Sequence, residues 1–148
     1  MQVQVPHPPA EPAERIRLRL PPEPTSPGVA RNLVTDACLA WRLAPMLYPG
    51  RAVVSELVAN AVEHGGTELD VSVSCRAGAL HLAVRDGSRT LPRMLELAAP
   101  VAGRPLDERG HGLRVVEADS VAWGATPVPN GKVVWALIRP RDSRSRRW

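Results

Sequence analysis

Apolar and polar residues alternate cleanly in Arg15-Ile16-Arg17-Leu18-Arg19-Leu20. Period-two alternation puts Ile16, Leu18 and Leu20 on one buried face of a strand, and Pro21-Pro22 stops it. After Ser26-Pro27, a capping side chain and then a proline suited to a first helical turn, the period changes. Val29, Leu33, Val34, Ala37 and Trp41 recur at helical spacing. Pro45 and Pro49 bracket a connection. A second helix is predicted from about Arg51 to Glu63, with Val53, Val54, Leu57, Val58 and Ala61 as its apolar stripe and Gly65-Gly66 as its stop.

Beyond that stop the alternation returns. Leu69, Val71, Val73 and Cys75 face one way, Ala77-Gly78 supplies a turn, and Leu80, Leu82 and Val84 continue the pattern, which predicts a β-hairpin. Residues Asp86 to Gly112 are rich in Gly, Pro and charge and hold one short helical patch, Arg93 to Ala98; a connection of that length is usually functional or mobile. A short helix is predicted from Leu113 to Ala118, just after Gly112, then a strand through Val121, Ala122 and Trp123. Pro129-Asn130-Gly131 turns the chain into a last strand from Val133 to Ile138. The order β, α, α, β, β, loop, α, β, β points to an α+β fold: a two-layer α/β sandwich whose mixed, mostly antiparallel sheet carries helices on one face.

The 148 residues suit one domain. Eight of the sixteen prolines fall in the first 27 residues, so residues 1–14 are expected to be a disordered Pro-rich N-terminus. That stretch has neither the basic nor the apolar region of a secretory signal, and no apolar run approaches the ~20 residues of a membrane helix. Only Cys38 and Cys75 occur, far apart, which excludes a disulfide scaffold and a zinc finger and suits a cytoplasmic location. The formal net charge is +4, and the segment from Arg139 to Trp148 alone carries that excess. The rest of the chain is neutral overall, so residues 140–148 are read as an Arg-rich tail outside a domain spanning 15–139. With aromatic residues at 3%, stacking platforms are scarce, and direct nucleic-acid binding is not expected.

Three segments carry candidate chemistry. Glu56, Asn60 and His64 are four apart and line one side of the second predicted helix, beside its apolar stripe. A carboxylate and a carboxamide one turn apart can hold a hydrated divalent cation through oxygen; the same spacing also suits a solvated helix face. Val84-Arg85-Asp86-Gly87-Ser88 ends a strand with an acid and small residues. Gly110-His111-Gly112-Leu113 opens a helix, where backbone N–H groups and the helix dipole favour an anion, or where the glycines simply make a turn.

In this order the three segments resemble the GHKL superfamily of ATPases and kinases, with its Bergerat ATP-binding fold. The Glu56–Asn60–His64 helix matches the N-box of that family, the Asp86 segment its first glycine box and Gly110 to Leu113 its second. The wording Glu56-Leu57-Val58-Ala59-Asn60-Ala61-Val62-Glu63-His64 and the ending Asn130-Gly131-Lys132-Val133-Val134-Trp135-Ala136 look like the stand-alone anti-sigma-factor serine/threonine kinase branch.

The resemblance implies ATP and Mg²⁺ as cofactors. It implies Asn60 as the Mg²⁺ ligand and Glu56 as the general base toward the attacking hydroxyl. Asp86 would accept a hydrogen bond from the adenine amino group and repel guanine's carbonyl, with His64, Gly87 and Ser88 beside it. Arg109, Gly110, His111, Gly112 and Leu113 would lie around the phosphates, under a lid from about Leu91 to Arg109. The partners implied are an anti-sigma-factor antagonist and a sigma factor, with a homodimer as the assembly. The sequence departs from the family pattern in two places: Gly87 follows Asp86 directly, leaving Ser88 where glycine is expected, and Val133 stands where the closing hairpin often carries a threonine. A non-catalytic ATP-dependent protein-binding switch of the same fold is the alternative function.

Overall fold

The computed structural model describes residues 14–89 and 108–140, the side chains of 108–113 excepted. The chain runs β1 (Glu14–Leu20), α1 (Ser26–Ala40), a single 3-10 turn (Ala44–Met46), α2 (Leu47–Gly65), β2 (Leu69–Arg76), β3 (Ala79–Asp86), α3 (Glu108–Asp119), β4 (Ala122–Val128) and β5 (Gly131–Ile138). The expected N-terminal segment up to residue 13, the helical patch from Arg93 to Ala98, most of the lid and the tail from Arg141 lie outside the described residues.

The five strands form one sheet in the order β1-β2-β3-β5-β4. Every pairing is antiparallel, so the sheet is less mixed than the sequence suggests. Strand alternation sorts the two faces. Val71 and Val73, Leu80, Leu82 and Val84, and Val134, Ala136 and Ile138 point to one side and are buried. That side meets the α2 stripe Val53, Val54, Leu57, Val58 and Ala61, as the periodicity predicts. On the other side of the sheet the half-buried Trp135 stacks on His81, ring centroids 6.3 Å apart.

The helices differ from the sequence reading in detail. Ser26 is the first helical residue rather than the cap; the cap is Thr25, and the Ser26 hydroxyl donates to the Pro21 carbonyl at 2.6 Å. The buried side of α1 is Ala30, Val34, Ala37 and Cys38, whereas Val29 is exposed and Leu33 and Trp41 only edge the core. Burial pushes the Cys38 thiol above its ordinary range, the nearby Cys75 adding to it, so the side chain behaves as a small apolar group. Helix α2 begins at Leu47 and takes Pro49 into its first turn, where the missing N–H would have no partner anyway. It ends as expected, on Gly66 in the left-handed conformation at φ 61°.

The hairpins also resolve. Ala77 and Gly78 both have positive φ, the two-residue turn that suits strand twist. Between β4 and β5 the central turn residues are Pro129 and Asn130, because Val128 already pairs with Gly131. Proline comes first and a left-handed residue second, Asn130 at φ 63°.

Gly50 sets how closely the two layers approach. A Cβ there would come 2.8 Å from Leu80 Cδ2 and 3.0 Å from Val34 Cγ1, both on buried side chains. Alanine gains about 1 kcal/mol of helix propensity at most, while overpacking a full core costs about 1–3 kcal/mol. Gly50→Ala should therefore lower stability by roughly 1 kcal/mol, read as a lower urea midpoint at unchanged slope. A higher midpoint would show that the layers spread without cost.

Candidate functional site

The C-terminal half of α2, the end of β3 and the start of β5 converge on one cleft. Its apolar wall is Leu57, Ala61 and Val134; its polar groups are Asn60, His64, Asp86 and Lys132. The helical spacing and the strand-ending acid thus meet as the sequence implied for Asn60, His64 and Asp86. Glu56, one turn earlier on α2, is half-buried but not part of this lining. His64 is partly exposed, its Nε2 3.9 Å from Glu63 Oε2.

Asp86 is the centre of the cleft. Its carboxylate is 3% exposed and forms an ion pair with the equally buried Lys132, Nζ to Oδ1 at 2.9 Å. The Ser88 backbone N–H donates to the same Oδ1 at 2.8 Å, and Lys132 Nζ lies 3.5 Å from the Ser88 carbonyl. Gly87 and Ser88 therefore shape the loop around the acid: the Gly87 N–H donates to Thr67 Oγ1 at 2.8 Å, which ties this loop to the connection after α2. The second carboxylate oxygen, Oδ2, is buried and has no partner among the described residues. A buried carboxylate oxygen left unpaired is costly, so a donor from water or from a bound group is expected beside Oδ2.

Two glycines permit this arrangement. A Cβ on Gly65 would lie 3.3 Å from Asp86 Cγ, so a side chain there would crowd the acid and shift it by a few tenths of an ångström. A Cβ on Gly131 would collide with the Asp86 backbone carbonyl, so β5 can begin where it does only with glycine there.

Sequence reading missed Lys132 and Thr67. The register pairs Asp86 with Lys132 and Arg85 with Val133. Lys132 and Val134 therefore face the cleft, and Val133 lies on the opposite side of the sheet. This corrects the match of Val133 to the family's adenine-side threonine: the strand position beside the acid belongs to Lys132. One signal was available, since Lys132 is the only lysine among the 19 basic residues.

Helix α3 starts at Glu108, not after Gly112, so Arg109, Gly110, His111, Gly112 and Leu113 occupy its first two turns. The side chains of Arg109, His111 and Leu113 lie outside the described residues, and their expected place around phosphates is carried by position in the chain alone. No group of three or more His, Cys, Asp or Glu gathers among the described residues. The metal chemistry that fits is a Mg²⁺ ion held mostly by phosphates and water, with the Asn60 carboxamide as a single protein oxygen. No helix among the described residues is long and apolar enough to cross a membrane.

A five-stranded antiparallel sheet is covered on one face by two long helices, and a carboxylate and a helix-borne asparagine line one cleft between them. Residues 20–138 match the model of the histidine kinase-like ATPase domain, and the chain belongs to that family. Membership supports placement in the GHKL superfamily and ATP as the nucleotide of the cleft. A search of curated proteins finds no significant match.

Removing the Lys132 charge while keeping its bulk should expose the cost of the buried acid. Lys132→Met leaves Asp86 unpaired, and breaking a buried ion pair from one side costs about 3–5 kcal/mol. Chemical denaturation should show a loss of that order; a loss under about 1 kcal/mol would mean that water already reaches Asp86.

Proposed function

We propose that this domain is a cytoplasmic Mg-ATP-dependent protein serine/threonine kinase. Its substrate would be an anti-sigma-factor antagonist in a bacterial partner-switching circuit, and its second partner a sigma factor that it sequesters. The observation that carries the nucleotide part is Asp86 Oδ2, a buried acceptor with no protein donor, in the cleft that Asn60 also lines. The adenine amino group supplies the missing donor. The kinase branch itself is supported by the residue wording of α2 from Glu56 to His64.

In the transfer step the antagonist's serine oxygen forms a bond to the γ-phosphorus as the bond to the β–γ bridging oxygen breaks. ADP leaves with that electron pair, and the serine proton passes to Glu56. Mg²⁺ neutralises phosphate charge when bound. Glu56 supplies the base, Asn60 an oxygen to the metal, and Asp86 the orientation of the base ring.

A second reading, a non-catalytic switch that binds ATP and a partner protein, rests on the altered first glycine box, where Ser88 stands in place of the expected glycine. The two readings separate on labelled ATP with Mg²⁺ and candidate antagonists. For a kinase, wild type labels a serine, and Glu56→Gln keeps nucleotide binding but loses about 10²–10³-fold in transfer, the lower part of the range for general-base catalysis. If wild type transfers nothing while ATP changes its affinity for a partner, the switch reading stands. Mg-ATP should also raise the melting temperature, since a ligand selective for the native state must stabilise it. Asn60→Ala should remove the Mg²⁺-dependent part of that rise, and an equal rise in both proteins removes the metal assignment.

A further inference from the structure

The cleft around Asp86 is closed from within. Asp86 and Lys132 are both 3% exposed, and the free space beside them, next to Leu57, Asn60 and Val134, is about 10 Å³. That is room for about one water, so no base ring fits while the Lys132 side chain lies there. The ammonium sits 2.9 Å from Asp86 Oδ1 and 3.5 Å from the Ser88 carbonyl. A charge-assisted hydrogen bond of this kind is about twice as strong as one from a neutral amino group. On its other side Lys132 borders a second cavity. This space is about 340 Å³ and is lined, among the described residues, by Arg89, Pro127, Val128, Gly131 and Lys132. Arg89 and Pro127 are exposed, so it opens towards solvent. The flexible four-carbon stem of a lysine can swing between two such spaces. Asp86 cannot follow, because the Ser88 N–H holds its Oδ1.

From this arrangement we infer that Lys132 is an internal competitor for the nucleotide's base. It occupies the place beside Asp86 that the base's amino group takes, and it leaves for the second cavity when a nucleotide binds. This rests on the nucleotide reading of the cleft. The Lys132 ammonium and the base amino group are both N–H donors towards one carboxylate, the first tethered to β5 and the second supplied from solution. Only the displaced state admits the ring, so the apparent affinity is reduced by the fraction of molecules in that state. The lysine loses an ion pair on leaving. The base returns a neutral hydrogen bond to Asp86 and apolar contact with Leu57, Ala61 and Val134. Lys132 therefore sets the nucleotide concentration at which the protein responds.

Lys132 is the only lysine in the chain, so its exposure can be read in the wild-type protein. Acylation by a soluble N-hydroxysuccinimide ester, followed by peptide mass spectrometry, reports how often its amine reaches solvent. Displacement of a fluorescent ATP analogue reports binding in parallel. Saturating Mg-ATP should speed acylation of Lys132 by about tenfold or more over Mg²⁺ alone, as the displaced state goes from a minority to nearly all molecules. Acylation that is unchanged or slowed while Mg-ATP binds overturns the inference and leaves the nucleotide reading standing. The second test is Lys132→Ala, checked for folding by circular dichroism. The folded variant should bind Mg-ATP about tenfold or more tightly than wild type, and equal or weaker binding overturns the inference. Where the variant does not fold, the wild-type acylation decides. If neither protein binds nucleotide, the nucleotide reading and this inference fall together.

Discussion

The ion pair between Asp86 and Lys132 is the constraint around which the rest of the molecule is arranged. Two opposite charges sit in the interior at 2.9 Å, in a chain whose other basic residues are all arginine. Their attraction offsets a large desolvation cost only if the surrounding groups hold them in place. The neighbouring structure does so. The register of β3 on β5 sets the two residues opposite each other, the Ser88 N–H fixes Oδ1, and the Gly87–Thr67 hydrogen bond fixes the loop that follows. Oδ2 has no partner among the described residues, and the proposed nucleotide contact rests on that oxygen.

Steric room around the pair matters as much as charge. Gly65 ends α2 against the Asp86 side chain, and Gly131 begins β5 against its carbonyl. A side chain at Gly131 would push β5 away, and one at Gly65 would crowd the Asp86 carboxylate. The same logic appears on the far side of the layer, where Gly50 lets α2 settle between Leu80 and Val34. The helix that brings Asn60 and His64 to the cleft is therefore held at two places by the absence of a Cβ. Its apolar stripe from Val53 to Ala61 does the rest, by burial against β3 and β5.

Much of this is legible in the residues. Period-two alternation marks β1, β2 and β3 without ambiguity because each has one buried and one open face, and the α2 stripe is right residue for residue. Asn60, His64 and Asp86 are found by spacing and by position at the end of a strand. Other features depend on contacts between distant segments. The α1 stripe is displaced: its buried face is Ala30, Val34, Ala37 and Cys38, and Val29 lies outside it. The start of α2 is hidden because Pro49 reads as a breaker, although a first turn tolerates it. Lys132 is the main loss. A lysine in a strand reads as solvated, and only the register of β5 on β3 shows that it faces Asp86 rather than water.

The central claim is that the buried pair secures the fold and that Asp86, as proposed, holds the nucleotide's base. It is tested most directly by neutralising both partners at once, with melting temperature measured with and without Mg-ATP for wild type, Lys132→Met and Asp86→Asn/Lys132→Met. Removing the stranded charge should return the double variant most of the stability that Lys132→Met loses, because two neutral partners carry no ionic desolvation cost. Mg-ATP should then no longer raise its melting temperature as it does in wild type. A double variant as unstable as Lys132→Met, or one stabilised by Mg-ATP as fully as wild type, would contradict the account.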